Sequence, residues 1–280
     1  MGEKLVIFGA GDGGFQVTLS LTDKFEIIAY ADNDPQKQGK TMFSKPVIKP
    51  EQITFLDYDY VVIANLHGQQ VKKQLLKDCN VNEEQIIDYY HSHMFDSRIT
   101  VLRHVAEEIN IRNIAGAIAE LGVFKGEFAK YISNSFSDRQ FYLFDTFNGF
   151  DERDITKERE GGFSNSKKGE FMNTNIQLVL DKIKNPSRCV VKKGYFPETT
   201  DGLETEQFAF VSLDVDLYEP ILAGLEYFYP RLSPGGYIFV HDYNSTRFSG
   251  VKQAVKEFSK KHPIKLVPLS DISGTVVIVK

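Results

Sequence analysis

The chain has 280 residues, of which 42% are hydrophobic and 25% charged, with a formal net charge of −5. The length suits two domains, each large enough to bury a core, and the acidic balance speaks against a nucleic-acid partner, which would need a basic face. No apolar run approaches the ~20 residues that cross a bilayer, the opening MGEKLVIFGAG reads as a strand rather than a signal peptide, and the two separated thiols, Cys79 and Cys189, fit a reducing compartment, so a cytoplasmic protein without membrane contact is expected.

In chain order, short apolar runs predict strands at 4–8, 26–31, 60–64 and 85–88, with helices starting near Gly13 and Gly68. Alternating β and α elements of this kind imply a parallel sheet. Directly after the first strand comes GAGDGG, in which Gly9, Gly11 and Gly14 satisfy G-x-G-x-x-G, and Asp32 ends the second strand. That is the dinucleotide fingerprint: glycines for a tight turn and close backbone approach, an acid for ribose hydroxyls. The module has no Tyr-x-x-x-Lys or serine triad to serve a nicotinamide. A non-redox module is therefore expected, either empty, binding an auxiliary nucleotide or helping assembly, and NAD is not expected. The segment YYHSHMF, residues 89–95, has no period and reads as the junction, with His91 and His93 as linker residues. The division is thus 1–92, a Rossmann-like nucleotide-binding-like domain, and 93–280, the catalytic domain.

The second domain should begin with a helix at 97–109. Strands follow at 115–121, 140–145, 188–193, 209–214, 237–241, 264–268 and 275–279, with helices at 126–134, 172–184, 220–229 and 251–261. The last two strands are separated only by LSDISG, too short for a parallel crossover, so they must pair antiparallel. Five βα units closed by an antiparallel hairpin predict an α/β, Rossmann-like methyltransferase sheet behind the smaller N-terminal α/β domain.

The residues that carry chemistry lie at the carboxyl ends of these strands, where open α/β sheets bind ligands. In AELGVFKGEF, Glu120 ends a strand and Gly122 and Gly126 lead into a helix. Such a turn lets backbone N–H groups approach a ligand, although a tight strand-to-helix turn would need the same residues. In FYLFDTFNGF, Asp145 ends the next strand at about the interval where dinucleotide folds place a ribose-binding acid. FVSLDVDLYEP brings Asp214 and Asp216 to the end of the fourth strand, and YIFVHDYN brings His241 and Asp242 to the end of the fifth. Four such groups at one rim fit Mg²⁺ or Mn²⁺, which prefer oxygen ligands; helix capping with solvated acids is the plainer alternative. Between residues 150 and 172 runs a long charged segment containing Gly161 and Gly162, whose position suggests a lid over the acceptor.

The phrases ELGVFKGEFA, FYLFDTFNGF, KKGYFPET, SLDVDLYEP and PGGYIFVHDYN, in this order and spacing, resemble the macrocin O-methyltransferase family (TylF/MycF type) over roughly residues 97–280. The stretch ADNDPQKQGK resembles the N-terminal domains of sugar-modifying enzymes. The family resemblance implies S-adenosylmethionine as donor, a divalent metal, an oligomer, and a sugar or nucleotide-linked sugar as acceptor. It implies donor contacts from Glu120, Gly122, Gly126, Asp145, Thr146, Gly194 and Tyr195, and metal ligation by Asp214, His241 and Asp242. Family members with a metal site often carry two consecutive acids where this chain has His241–Asp242. Macrolide enzymes have a histidine where this chain has Pro197, so Asp214 or Asp216 is the expected base. A catechol-like acceptor is the alternative within the reaction class. A non-catalytic nucleotide-binding scaffold, or an NAD-dependent oxidoreductase acting through the N-terminal module, are the alternatives outside it.

Overall fold

The computed structural model describes residues 3–22, 24–89, 95–271 and 274–280. The chain divides into two compact units, Met1–Ser97 and Arg98–Lys280. The junction expected at 92/93, with His91 and His93, lies outside the described residues.

In the first unit, β1 (Lys4–Phe8), β2 (Glu26–Ala31), β3 (Thr41–Met42), β4 (Lys45–Ile48), β5 (Tyr60–Ile63) and β6 (Ile86–Asp88) form a sheet of order β3-β4-β2-β1-β5-β6. Pairing is parallel except between β3 and β4. After Lys4, strand β1 is apolar because it is covered on both faces: Leu5 and Ile7 join one core cluster, Val6 and Phe8 the other. Helices α1 (Asp12–Leu21) and α2 (Gly68–Asp78) follow β1 and β5. The β3–β4 hairpin was not expected. Its two-residue turn is Phe43–Ser44, both at positive φ, without the Gly or Asn that ordinarily announces such a turn.

In the second unit, α3 (Phe95–Ile111) leads into β7 (Ala117–Leu121), α4 (Glu127–Ser135), β8 (Phe141–Asp145), α5 (Glu152–Gly161), α6 (Ile176–Leu180), β9 (Cys189–Lys193) and β10 (Phe208–Leu213). Then come α7 (Tyr218–Arg231), β11 (Leu232–Val240), α8 (Ser249–Lys261), β12 (Leu266–Pro268) and β13 (Val276–Val279). The sheet order is β12-β13-β11-β10-β7-β8-β9. Strand β13 is antiparallel to both β11 and β12, as the short final connection required. Alternate residues of β7 again face opposite ways. Ala117, Ala119 and Leu121 pack with residues of α5, α7 and α8, and Ile118 with residues of α3, α4 and α6. The reversal of strand order between β7 and β10 puts their carboxyl ends side by side at a crevice.

Two elements depart from expectation. The helix expected over 172–184 shrinks to α6, a single turn capped by the Asn175 side chain. The charged segment after β8, expected as a lid loop, contains helix α5, whose buried face is Asp154, Ile155 and Glu158. Two of these three inward residues are acids, so hydropathy carries no helical period here. The caps were nonetheless present in the sequence: Asp151 accepts from the Arg153 amide, and Gly162 closes the helix in the left-handed conformation.

Candidate active site

The site assembles at the carboxyl rim of β7, β8, β10 and β11. Gly122, at φ +88°, begins the turn after β7, and a Cβ there would lie 2.0 Å from the Asp214 carbonyl oxygen. Only glycine lets the two strand ends approach so closely. The turn then runs through Val123 and Phe124 to Gly126, the N-cap of α4. Asp145, at the end of β8, holds it: one carboxylate oxygen accepts from the Val123 and Phe124 amides at 2.8 Å each, the other from Phe147 at 2.7 Å. A carboxylate offers about four acceptor positions, so one remains for a ligand hydroxyl.

Thr146 donates to the Gly149 carbonyl and accepts from Asn148, which shapes the loop after β8. Gly194 follows β9 and donates its amide to the Asp145 carbonyl at 3.0 Å. The Tyr195 hydroxyl donates to Asp154 at 2.7 Å, with the Arg153 guanidinium stacked 3.5 Å from its ring. Glu120 is 1% exposed and one of its oxygens has no hydrogen-bond partner. Burial, reinforced by Asp214 and opposed by Arg98, raises its pKa well above the usual carboxylate value.

Across the crevice, Asp214 and His241 end neighbouring strands. His241 Nδ1 lies 3.0 Å from Asp214 and 2.6 Å from Asp242. Burial would lower the imidazole pKa, but Asp214 and Asp242 push it up to about 10. Burial would raise Asp214, but His241 and then Arg98 outweigh it and hold the carboxyl well below its ordinary value. Asp216 is driven the other way: burial first, then Asp242 and Asp214, push its pKa well above the carboxylate range. Asp214, His241 and Asp242 each offer a ligand atom within 4.8 Å of the others.

Sequence reasoning missed Arg98. It is 7% exposed, bonds Asp214 at 3.0 Å and the Ser212 hydroxyl at 3.1 Å, and lies 3.6 Å from the centroid of the Phe128 ring. Nothing in DSRITVLRHV distinguishes this arginine, since a buried arginine is recognisable only once its carboxylate partner is in place.

In the first unit, Gly9 and Gly11 form the turn between β1 and α1, and Gly14 lies on α1, where a Cβ would come within 2.0 Å of the Gly9 carbonyl oxygen. Asp32 accepts from the Ala10 amide at 2.8 Å and the Asp34 amide at 2.9 Å, and pairs with Lys37 at 3.1 Å. Burial opposes ionisation, but these partners hold its pKa below the ordinary value.

This sheet, with a glycine turn clamped by an acid and a carboxylate-rich rim beside it, defines a class I methyltransferase. Solved structures of the same fold are the O-methyltransferase NovP (TM-score 0.53, 23% identity, covering 66% of this chain and 79% of that one) and the calicheamicin methyltransferase CalS11 (TM-score 0.55, 19% identity, 76% and 90%). The chain belongs to the macrocin O-methyltransferase (TylF) family, which it matches over residues 43–280, and it is an S-adenosylmethionine-dependent O-methyltransferase. Among its relatives, 8-demethyl-8-(2,3-dimethoxy-alpha-L-rhamnosyl)-tetracenomycin-C 4'-O-methyltransferase of Streptomyces olivaceus is 27% identical over 197 residues, 64% of this chain and 71% of that protein. Mycinamicin III 3''-O-methyltransferase of Micromonospora griseorubida is 23% identical over 223 residues, 75% and 87% of the two. Among the described residues no helix is long and apolar enough to cross a membrane.

Proposed function

We propose that this enzyme methylates a hydroxyl of a sugar or sugar-containing small molecule with the help of a divalent cation. The observation that carries the reading is the meeting of Asp214, His241 and Asp242 beside the glycine turn, in a chain one of whose relatives is named for a rhamnosyl-bearing substrate. Two carboxylates and one imidazole suit Mg²⁺ or Mn²⁺. The set also fits geometrically, because Asp214 and Asp242 lie 3.0 and 2.6 Å from His241 Nδ1, so that the three side chains converge on one point. Asp214, His241 and Asp242 would hold the metal, which when bound lowers the pKa of an acceptor hydroxyl.

Glu120, Gly122, Gly126, Asp145 and Gly194 would seat S-adenosylmethionine, which supplies an electrophilic methyl group. The single open acceptor position on Asp145 suits one ribose hydroxyl. The Thr146 and Tyr195 hydroxyls already serve protein partners, so their contribution would be to shape the pocket. Asp216, or failing it Asp214, would accept the proton as the hydroxyl oxygen bonds to the methyl carbon and the carbon–sulfur bond breaks. Alignment of the hydroxyl with the methyl group would supply the larger share of the rate.

The units 1–92 and 93–280 divide the work in this reading. The first is a non-redox module at Gly9, Gly11, Gly14 and Asp32 that binds an auxiliary nucleotide or supports a cytoplasmic homo-oligomer. The test is methyl-labelled S-adenosylmethionine with methyl α-L-rhamnoside, a nucleotide-linked deoxysugar and catechol as acceptors. Label on a sugar hydroxyl is expected. Label on catechol alone would replace the acceptor class, and NAD⁺ reduction with the nucleotide sugar would restore a redox role to the first unit.

A further inference from the structure

Helix α5 brings a buried acid to the back of the active-site loops. Glu158 is 1% exposed; one of its oxygens accepts from the Tyr218 amide at 2.8 Å, and the other is buried without a partner among the described residues. Tyr218 is the first residue of α7, and neither α7 nor α8 has a side-chain N-cap of its own. The same Glu158 oxygen lies 2.8 Å from the point where a Cβ on Gly250 would stand, and the Tyr218 and Phe163 Cβ atoms lie at 2.9 and 3.2 Å from that point. Gly250 is in the first turn of α8. One carboxyl therefore sits against the first turns of two helices, where an acid is favoured. Each helix follows an active-site loop: Asp214 and Asp216 precede α7, and His241 and Asp242 precede α8.

We propose that Glu158 is a positioning residue that couples the α5 insertion to both carboxylate-bearing loops and keeps Asp216 in register with His241 and Asp242. Asp216 and Asp242 are both held at positive φ, 61° and 56°, a conformation that persists for a side-chain-bearing residue only where its surroundings enforce it. Glu158 secures that enforcement two residues beyond Asp216. Its anchorage is shared along α5 and the residue just past its cap: Asp154 bonds Tyr195, the Phe163 ring packs 5.1 Å from the Tyr218 ring, and the Ser249 hydroxyl donates to the Phe163 carbonyl at 2.8 Å.

The proposal rests on the assignment of Asp214 and Asp216 to the chemistry, and its test separates the two. In full-length protein, E158L and G250A are compared with E158Q, which keeps an acceptor oxygen for the Tyr218 amide. Amide hydrogen exchange is followed in peptides covering 213–218, 241–252 and 119–128, with S-adenosylhomocysteine affinity measured alongside. E158L and G250A should exchange at least tenfold faster over 213–218 and 241–252, with 119–128 and donor-product affinity within twofold of wild type, and E158Q should recover most of the protection. With a sugar acceptor that wild type methylates, kcat should fall at least tenfold in E158L while the KM for S-adenosylmethionine stays within twofold. Unchanged exchange in both variants, or loosening that spreads to 119–128 and the donor, overturns the proposal. If E158L does not fold, G250A and E158Q decide the matter by the same readings. A wild type that methylates no acceptor would sink the function reading, and the exchange experiment would still decide this one.

Discussion

The two units solve the same local problem and diverge in what surrounds it. Each has a glycine turn after a central strand and an aspartate at the end of the neighbouring strand that accepts the turn's amides: Asp32 for Ala10, Asp145 for Val123 and Phe124. Beside Asp32 stands Lys37, which neutralises it, and the strands beyond contribute Asn65 and His67 just past β5 and a single carboxylate, Asp88, at the end of β6. Beside Asp145, the next two strands contribute Asp214, Asp216, His241 and Asp242. Backbone strain follows the same division. Among the described residues, Phe124, Phe147, Asp216 and Asp242 take positive φ just past β7, β8, β10 and β11, whereas the rim of the first unit has only Gly9 there. A glycine turn with its acid clamp is a generic ligand cradle; chemistry arises where neighbouring strands bring several interacting ionisable groups to it.

The largest effects should come from breaking each turn in isolation. In G122A the new methyl meets the Asp214 carbonyl, and in G14A it meets the Gly9 carbonyl, both at 2.0 Å. G122A should abolish S-adenosylhomocysteine binding, and G14A should leave it within threefold of wild type, as measured by calorimetry. If G14A also abolished donor binding, the two turns would not be functionally separate.

Next comes the rim. D214N should lower methyl transfer at least a hundredfold and weaken Mn²⁺ binding, because the carboxylate is both a prospective ligand and the centre of the Arg98–His241 network. EDTA should silence wild type, and Mg²⁺ or Mn²⁺ should restore it. Full turnover after exhaustive chelation would leave these residues with proton transfer and acceptor binding alone.

The acid clamps sharpen the comparison at smaller amplitude. D145A should weaken S-adenosylhomocysteine at least tenfold, since loss of a charge-assisted contact costs about 1.5–3 kcal/mol. D32A should leave that affinity unchanged. Equal donor affinity in D145A and wild type would remove Asp145 from the donor site.

The smallest effect concerns Asp154, whose pKa burial pushes up to about 6, against the lowering influence of its Tyr195 bond. A raised folded-state pKa means that the folded protein binds the proton more tightly than the unfolded chain. Stability should therefore fall as pH rises from about 4 to about 6 and level off above. D154N should remove that slope and gain about 1–2 kcal/mol at pH 7, read from denaturant midpoints across pH. A slope that survives in D154N would assign the titration to another group.

Much of this was written in the sequence. The largely apolar runs LVIF, AIAEL and FAFVSL fix buried strands, because a doubly covered parallel sheet shelters such runs. The glycines at 9, 14 and 122 and the short final connection likewise fixed both turns and the antiparallel edge, whereas the strand-end acids read only as ribose-binding groups, and their hold on the turn amides came from the structure. Tertiary structure alone decided the rest. Helix α5 was hidden because its inward face is Asp154, Ile155 and Glu158, which reads as polar until burial supplies partners. Arg98 was hidden because a charge is tolerated in a core only opposite its counter-charge, and Asp214 lies far along the chain. The division between a low-pKa Asp214 and a high-pKa Asp216, two residues apart, was also beyond the sequence, since a titration follows from the neighbours in space, and those are supplied by a different strand.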